Sequence, residues 1–272
     1  MSEYYCFIRK ITKRIQFITL KMKPILYLED SWTENGDGEY IINYCALPES
    51  QWQLQIISRN ELKRMPTRDF FRGVVLAQAH IIQSHLVLLN RQDLIPDTYD
   101  SAFQPWLKRH IEIISIQQLW DKYISVERPR FIKPVGIVKL FEGQVLDDGD
   151  DLTNLLVRHQ DVTLETKVYS CRTIDIDGEL RLLIGAGRLY GVGQISIAPP
   201  PNQDWRPVFL DQLITAVGGR FLCVDIGWVA ELGWVVVEIN PPYSLDEYDI
   251  PLVDYLQFMT DAFGWLRCEL GV

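Results

Sequence analysis

The chain has 272 residues, 47% of them hydrophobic and 23% charged, with a formal net charge of −9. This allows one or two domains with a large core, and the negative balance argues against a nucleic-acid backbone as main partner, because such binding rests on clustered Lys and Arg. No stretch approaches the ~20 apolar residues of a membrane span, and five scattered cysteines (Cys6, Cys45, Cys171, Cys223 and Cys268) suit reduced thiols in a cytoplasmic protein better than a disulfide framework or zinc site.

The chain opens with six basic residues among its first 23 (Arg9, Lys10, Lys13, Arg14, Lys21 and Lys23), against one acid, Glu3. Residues 1–22 read as a basic, disordered leader, with Met22 opening the folded part; charges interrupt every candidate signal-peptide core. "KPILYLED" (23–30) reads as a short buried strand ending in acids. "GEYIINYCAL" (38–47) has helical spacing, and "WQLQIIS" (52–58) and "RGVVLAQ" (72–78) read as strands. "AHIIQSHLVLL" (79–89) is apolar throughout, which leaves helix and strand both open. Strands alternating with helices predict an α/β lobe with a parallel sheet over 23–126. After a Pro-punctuated connection (91–106), "SIQQLWDKYIS" (115–125) reads as a helix, and "VERPR" as a hinge.

Residues 127–272 have a different texture. "RFIKPV" (130–135), "VKLFEGQVL" (138–146), residues 162–191 and residues 220–240 are strand-rich and broken by turn signals, which predicts an antiparallel-rich lobe. "DDGDD" (147–151) reads as a solvated turn. Helices are expected over 204–219, closed by a Gly pair, and 250–266. The predicted class is thus α+β / α/β, an N-terminal α/β lobe followed by a larger antiparallel-rich lobe, with the site between them.

The candidate chemistry starts from "WVVVEIN" (234–240). Residues two apart on a strand share a face, so Glu238 and Asn240 point the same way beside a run that should be buried. Asp225 ends a second apolar stretch, "FLCVDIGW", and a turn joins the two strands. Asp225, Glu238 and Asn240 could therefore meet. Three oxygen ligands without His or Cys suit Mg²⁺; the alternative is pairing with arginines. An empty site of this kind would leave its carboxylates repelling one another. Four cations in or beside apolar strands, Lys133, Lys139, Arg172 and Arg188, could meet a phosphate or carboxylate. There is no GxxxxGK(S/T) phosphate loop and no GxSxG elbow. His80 and His85, five apart, do not share a helix face, which argues against zinc.

The order of these motifs resembles the ATP-grasp superfamily, and within it the small clade marked by one arginine and two lysines. The matching stretches are Lys133 in "FIKPV", Lys139 before "FEG", Glu165 and Val168 in "LETKV", Arg172, Asp225 and "VEIN", over about 130–245. The resemblance implies that Lys133 and Lys139 contact the phosphates of ATP, while Glu165 and Val168 belong to the nucleotide-binding set, Glu165 beside adenine or ribose. It implies Mg²⁺ on Asp225, Glu238 and Asn240, and Arg172 and Arg188 on the transferring phosphoryl group or a substrate carboxylate. Only Gly136 separates Lys133 from Lys139, where the family often has a longer Gly-rich loop; "GAGRLYGVG" (185–193) could supply phosphate cover instead. The implied activity is an ATP-dependent carboxylate–amine ligase acting through an acylphosphate. The partners would be a small-molecule or peptide carboxylate and an amine. The rivals are a nucleotide-binding regulatory module and a phosphotransferase to another acceptor.

Overall fold

The computed structural model describes residues 23–34, 36–124, 128–136, 140–201, 205–243 and 248–272. The basic leader and Lys139 lie outside them. Strand β1 (Ile25–Glu29) lies between β2 (Gln53–Ile57) and β3 (Val74–Leu76), parallel to both. Every residue of β3 is buried, as expected of a parallel strand covered on both faces. Helix α1 (Gly36–Ala46), followed by the short α2 (Arg59–Arg64) and α3 (Thr67–Phe70), belongs to this α/β unit. The apolar run left open by its pattern is helix α4 (Ala79–Leu88).

The second sheet is antiparallel, in the order β4 (Glu112–Ser115), β7 (Lys167–Cys171), β5 (Arg130–Pro134), β6 (Gln144–Leu146). It is reached through α5 (Gln104–Leu107), and α6 (Ile116–Lys122) follows β4. Its two faces follow from alternation. Ile114, Ile132, Leu146 and Val168 pack with Ile116, Leu119, Leu152 and Leu155, whereas Phe131, Lys133, Tyr169 and Cys171 belong to the opposite face.

The reading of "DDGDD" as a solvated turn is corrected here: it opens helix α7 (Gly149–Arg158). Asp148 caps the helix, accepting from the backbone N–H groups of Asp150 (2.9 Å) and Asp151 (3.1 Å). Asp150 and Asp151 then lie in the first turn, where acids suit the helix dipole, and Leu152 and Leu155 are buried. Asp148→Ala is expected to lower stability by ~1 kcal/mol in urea denaturation; no loss would show that water caps this helix equally well.

The third sheet, also antiparallel, runs β11 (Gly233–Asn240), β10 (Phe221–Val229), β8 (Gly178–Gly185), β9 (Arg188–Gln194). Helix α8 (Arg206–Val217) covers one face, with Phe209, Leu213 and Val217 on Leu182, Leu222, Val224, Ile226 and Val236. On the other face, Leu183, Phe221 and Cys223 meet helix α9 (Leu252–Leu270), whose Phe258, Met259 and Phe263 also share a core with Leu26, Leu28 and Phe71. The last helix thus ties the parallel sheet to the third sheet and sets the walls of the cleft between them. Burying a side chain such as Phe263 contributes about 1.5–3 kcal/mol, so this joint is strongly held. The glycines of "GVG" serve the same packing. A Cβ on Gly193 would lie 2.5 Å from the Tyr248 carbonyl oxygen, and one on Gly191 would lie 2.6 Å from Ile250.

Candidate functional site

Asp225 on β10 is in register with Glu238 on β11, and Cys223 with Asn240. The strand alternation alone does not explain this. Trp234 and Val236 point into the core under α8, and strict alternation would send Glu238 after them. Instead the register shifts: Ile226 pairs with Val236, but Asp225 pairs with Glu238, so Val237 is an extra residue. This β-bulge reverses the phase of the strand and turns Glu238 and Asn240 to the open face. Arg109, buried at 8% exposure, sits on the bulge. Its Nη1 donates to the carbonyls of Val236 (2.9 Å) and Leu107 (3.1 Å), and its Nη2 to that of Val237 (2.6 Å).

The two carboxylates do not face each other uncompensated. Arg181 on β8, in register with Asp225, donates to both its oxygens at 2.8 Å. Lys133 on β5 reaches Glu238 at 2.5 Å. The Asn240 amide joins the pairs, donating to Asp225 (2.9 Å) and Glu238 (2.8 Å). The expected repulsion is therefore replaced by two ion pairs. Burial pushes the Asp225 carboxyl up, and the Arg181 guanidinium opposes it. For Glu238 burial also works upward, but Lys133 and the Asn240 bond prevail and hold it below the usual carboxylate range. Glu179, two residues before Arg181, is pushed up to about 7 by burial and by the charges of Asp225 and Glu238.

Lys133, Arg181, Glu238 and Asn240 line one cleft of about 610 Å³, whose far wall is the start of α4 with Gln78, His80 and Gln83. Glu238 also borders an apolar slot between the second and third sheets, formed by Phe131, Val145, Cys171, Ile174, Ile176 and Val237. The other predicted residues are placed differently. Arg172 is at the slot, beside Arg109, and does not line the cleft. Arg188 is 58% exposed and pairs with Asp261 at 3.2 Å. Glu165 is exposed in the turn before β7, and Val168 is buried in the core under α6 and α7. Arg181 and Arg109 are not among the predicted residues. For Arg181 a signal existed: "ELRLLIG" sets a cation inside an apolar strand, as "FIKPV" does.

Two carboxylates and an amide suit Mg²⁺, which uses one or two carboxylates and completes its shell with water and phosphate oxygens. Among the described residues, no group of three or more His, Cys, Asp or Glu side chains could hold a metal.

A parallel α/β unit joined to two antiparallel sheets, with cations and carboxylates between them, is the architecture of ATP-grasp proteins. The model of an ATP-grasp domain family, the second family of the clade marked by one arginine and two lysines, matches residues 106–258, and the chain belongs to that family. Solved structures agree in fold. A RimK-domain ATP-grasp protein from Sphaerobacter thermophilus is 13% identical, with a TM-score of 0.59 over 88% of this chain and 99% of that one. D-alanine–D-alanine ligase from Bacillus anthracis, complexed with ATP, is 12% identical, with a TM-score of 0.57 over 90% and 99%. D-cycloserine synthetase DcsG is 13% identical, with a TM-score of 0.54 over 89% and 99%. No curated protein matches the chain in sequence.

Proposed function

We propose that the protein is an ATP- and Mg²⁺-dependent carboxylate–amine ligase that activates an acceptor carboxylate as an acylphosphate and releases ADP and phosphate. One observation carries the reading: an apolar slot and a cleft lined by cations and carboxylates meet at Glu238. The adenine would occupy the slot, against Phe131 and Val237, with the phosphates directed to Lys133 and Arg181. Lys139 would add to them. Mg²⁺ would be held by Asp225, Glu238 and Asn240, where it would offset the charge on the phosphate oxygens. The two cations that pair with the carboxylates are those that would meet the phosphates. Arg181 takes the phosphoryl-stabilising role that the motif order suggested for Arg172 and Arg188. The acceptor would enter between α4 and Asn240, and a cytoplasmic setting fits the scattered thiols.

The chemistry needs no protein nucleophile. Positioning and charge neutralisation suffice for phosphoryl transfer, and both are within reach of these side chains. The activities named for two structural neighbours, D-alanine–D-alanine ligase and D-cycloserine synthetase, support the same reaction class. The test is incubation with ATP, Mg²⁺ and pooled carboxylates and amines. ADP should form only when both acceptors are present; tight ATP binding without ADP would leave a nucleotide-binding module. Glu238→Gln should abolish the Mg²⁺-dependent part of the rise in Tm caused by a non-hydrolysable ATP analogue. An unchanged rise would place the metal elsewhere.

A further inference from the structure

We propose that Arg109 is a positioning residue for Glu238: its guanidinium holds the β11 bulge in the form that aims the carboxylate into the cleft. The inference rests on the reading of Glu238 as a magnesium ligand. Strand β11 is at the edge of its sheet, so the outer carbonyls of the bulge have no neighbouring strand to pair with. Arg109 supplies the missing donors, contacting two successive carbonyls, Val236 and Val237, and bracing itself on Leu107. Only a planar, forked cation can do this; a lysine offers a single point of charge. Just beyond the bulge, the Ile239 N–H donates to the Thr98 carbonyl at 2.9 Å. The ring of Tyr99 lies 5.6 Å from the guanidinium. The bulge is thus gripped on both sides by the segment 98–109.

A buried guanidinium hydrogen-bonded to backbone carbonyls is a costly way to close a sheet edge. Its position explains the cost. Without the bulge, Glu238 would point with Trp234 and Val236 into the core under α8. Groups that orient a metal's ligands typically change metal affinity by ~10–100-fold when they are altered.

The experiment uses the full chain with a non-hydrolysable ATP analogue, and reads the Mg²⁺ concentration giving half of the metal-dependent Tm rise. Arg109→Lys and Arg109→Ala should raise that concentration by roughly 10–100-fold. Added guanidinium, but not methylammonium, should restore the Mg²⁺ response of Arg109→Ala. Arg267→Lys is the control, since the Arg267 guanidinium also bonds backbone carbonyls, those of Phe71 (3.2 Å) and Arg72 (3.4 Å), outside the third sheet; it should lower Tm without altering the Mg²⁺ requirement. If Arg109→Ala does not fold, Arg109→Lys decides alone. An unchanged Mg²⁺ requirement in an Arg109 variant, with or without a loss of Tm, would overturn the proposal and leave Arg109 a structural clamp. Absence of any Mg²⁺-dependent rise in the wild-type chain would instead remove the reading on which the proposal stands.

Discussion

Arg181→Met is expected to destabilise the ligand-free protein by about 3–5 kcal/mol at pH 7, the range for breaking a buried ion pair from one side. Asp225 is 2% exposed and Arg181 7%, so the change would strand a carboxylate with only the Asn240 amide to bond it. Methionine keeps much of the apolar stem, which limits the lost packing. Adding Asp225→Asn should recover much of the loss, because the stranded charge goes with it, and the coupling energy would measure the pair. Urea denaturation of the four proteins is sufficient. A single variant as stable as wild type would mean that Asp225 is not held as a charged partner, and would sink this account of the site. The pairing also bears on function. On the proposed function, Mg²⁺ alone would compete with Arg181 and Lys133 for the same oxygens, whereas Mg²⁺ with ATP would bring phosphates to take over both cations. Metal binding should therefore depend strongly on nucleotide.

Much of this is legible in residue order, and the parts that are not share a cause. That Glu238 and Asn240 lie on one face follows from a two-residue period. That Asp225 meets them follows from a hairpin with a short turn. The bulge at Val237 is hidden, because Val235, Val236 and Val237 are interchangeable in pattern and nothing local says which is the extra one. Arg181 is visible as a cation in an apolar strand. Its partner depends on β8 lying beside β10, a pairing across some forty residues that no local rule supplies. Arg172 and Arg188 match by order, yet the first falls at the slot and the second pairs with Asp261. Helix α7 is missed because its cap, Asp148, is one acid in a run of acids, and an N-cap shows only against a contrasting background. The ATP-grasp assignment survives these misses because it rests on the sequence of motifs along the chain, which does not depend on bulges or caps.

Glu179→Gln should change the pH dependence of stability more than its small change in shape suggests. Burial, then the charges of Asp225 and Glu238, raise the Glu179 carboxyl from its ordinary value to about 7, with Arg181 and Arg109 opposing. The folded chain therefore binds this proton more tightly than the unfolded chain does. As pH rises from the ordinary glutamate value towards 7, the unfolded chain has already released the proton, and the folded chain must then hold an unfavourable charge. This group's contribution to stability consequently falls as pH rises through that window and is level above it. A shift of this size corresponds to a difference on the order of 3 kcal/mol. Glutamine keeps the shape and carries no charge, so the variant should match wild type near pH 4 and exceed its stability near pH 8 by up to ~3 kcal/mol. Other carboxylates, such as Glu29 and Glu238, are held low and lose stability as pH falls. Glu29 acts alike in both proteins, so the difference between the two curves reports Glu179 together with its coupling to Asp225 and Glu238. Parallel curves from pH 4 to 8 would show that Glu179 ionises as an ordinary glutamate and that the open face of the third sheet tolerates a third carboxylate.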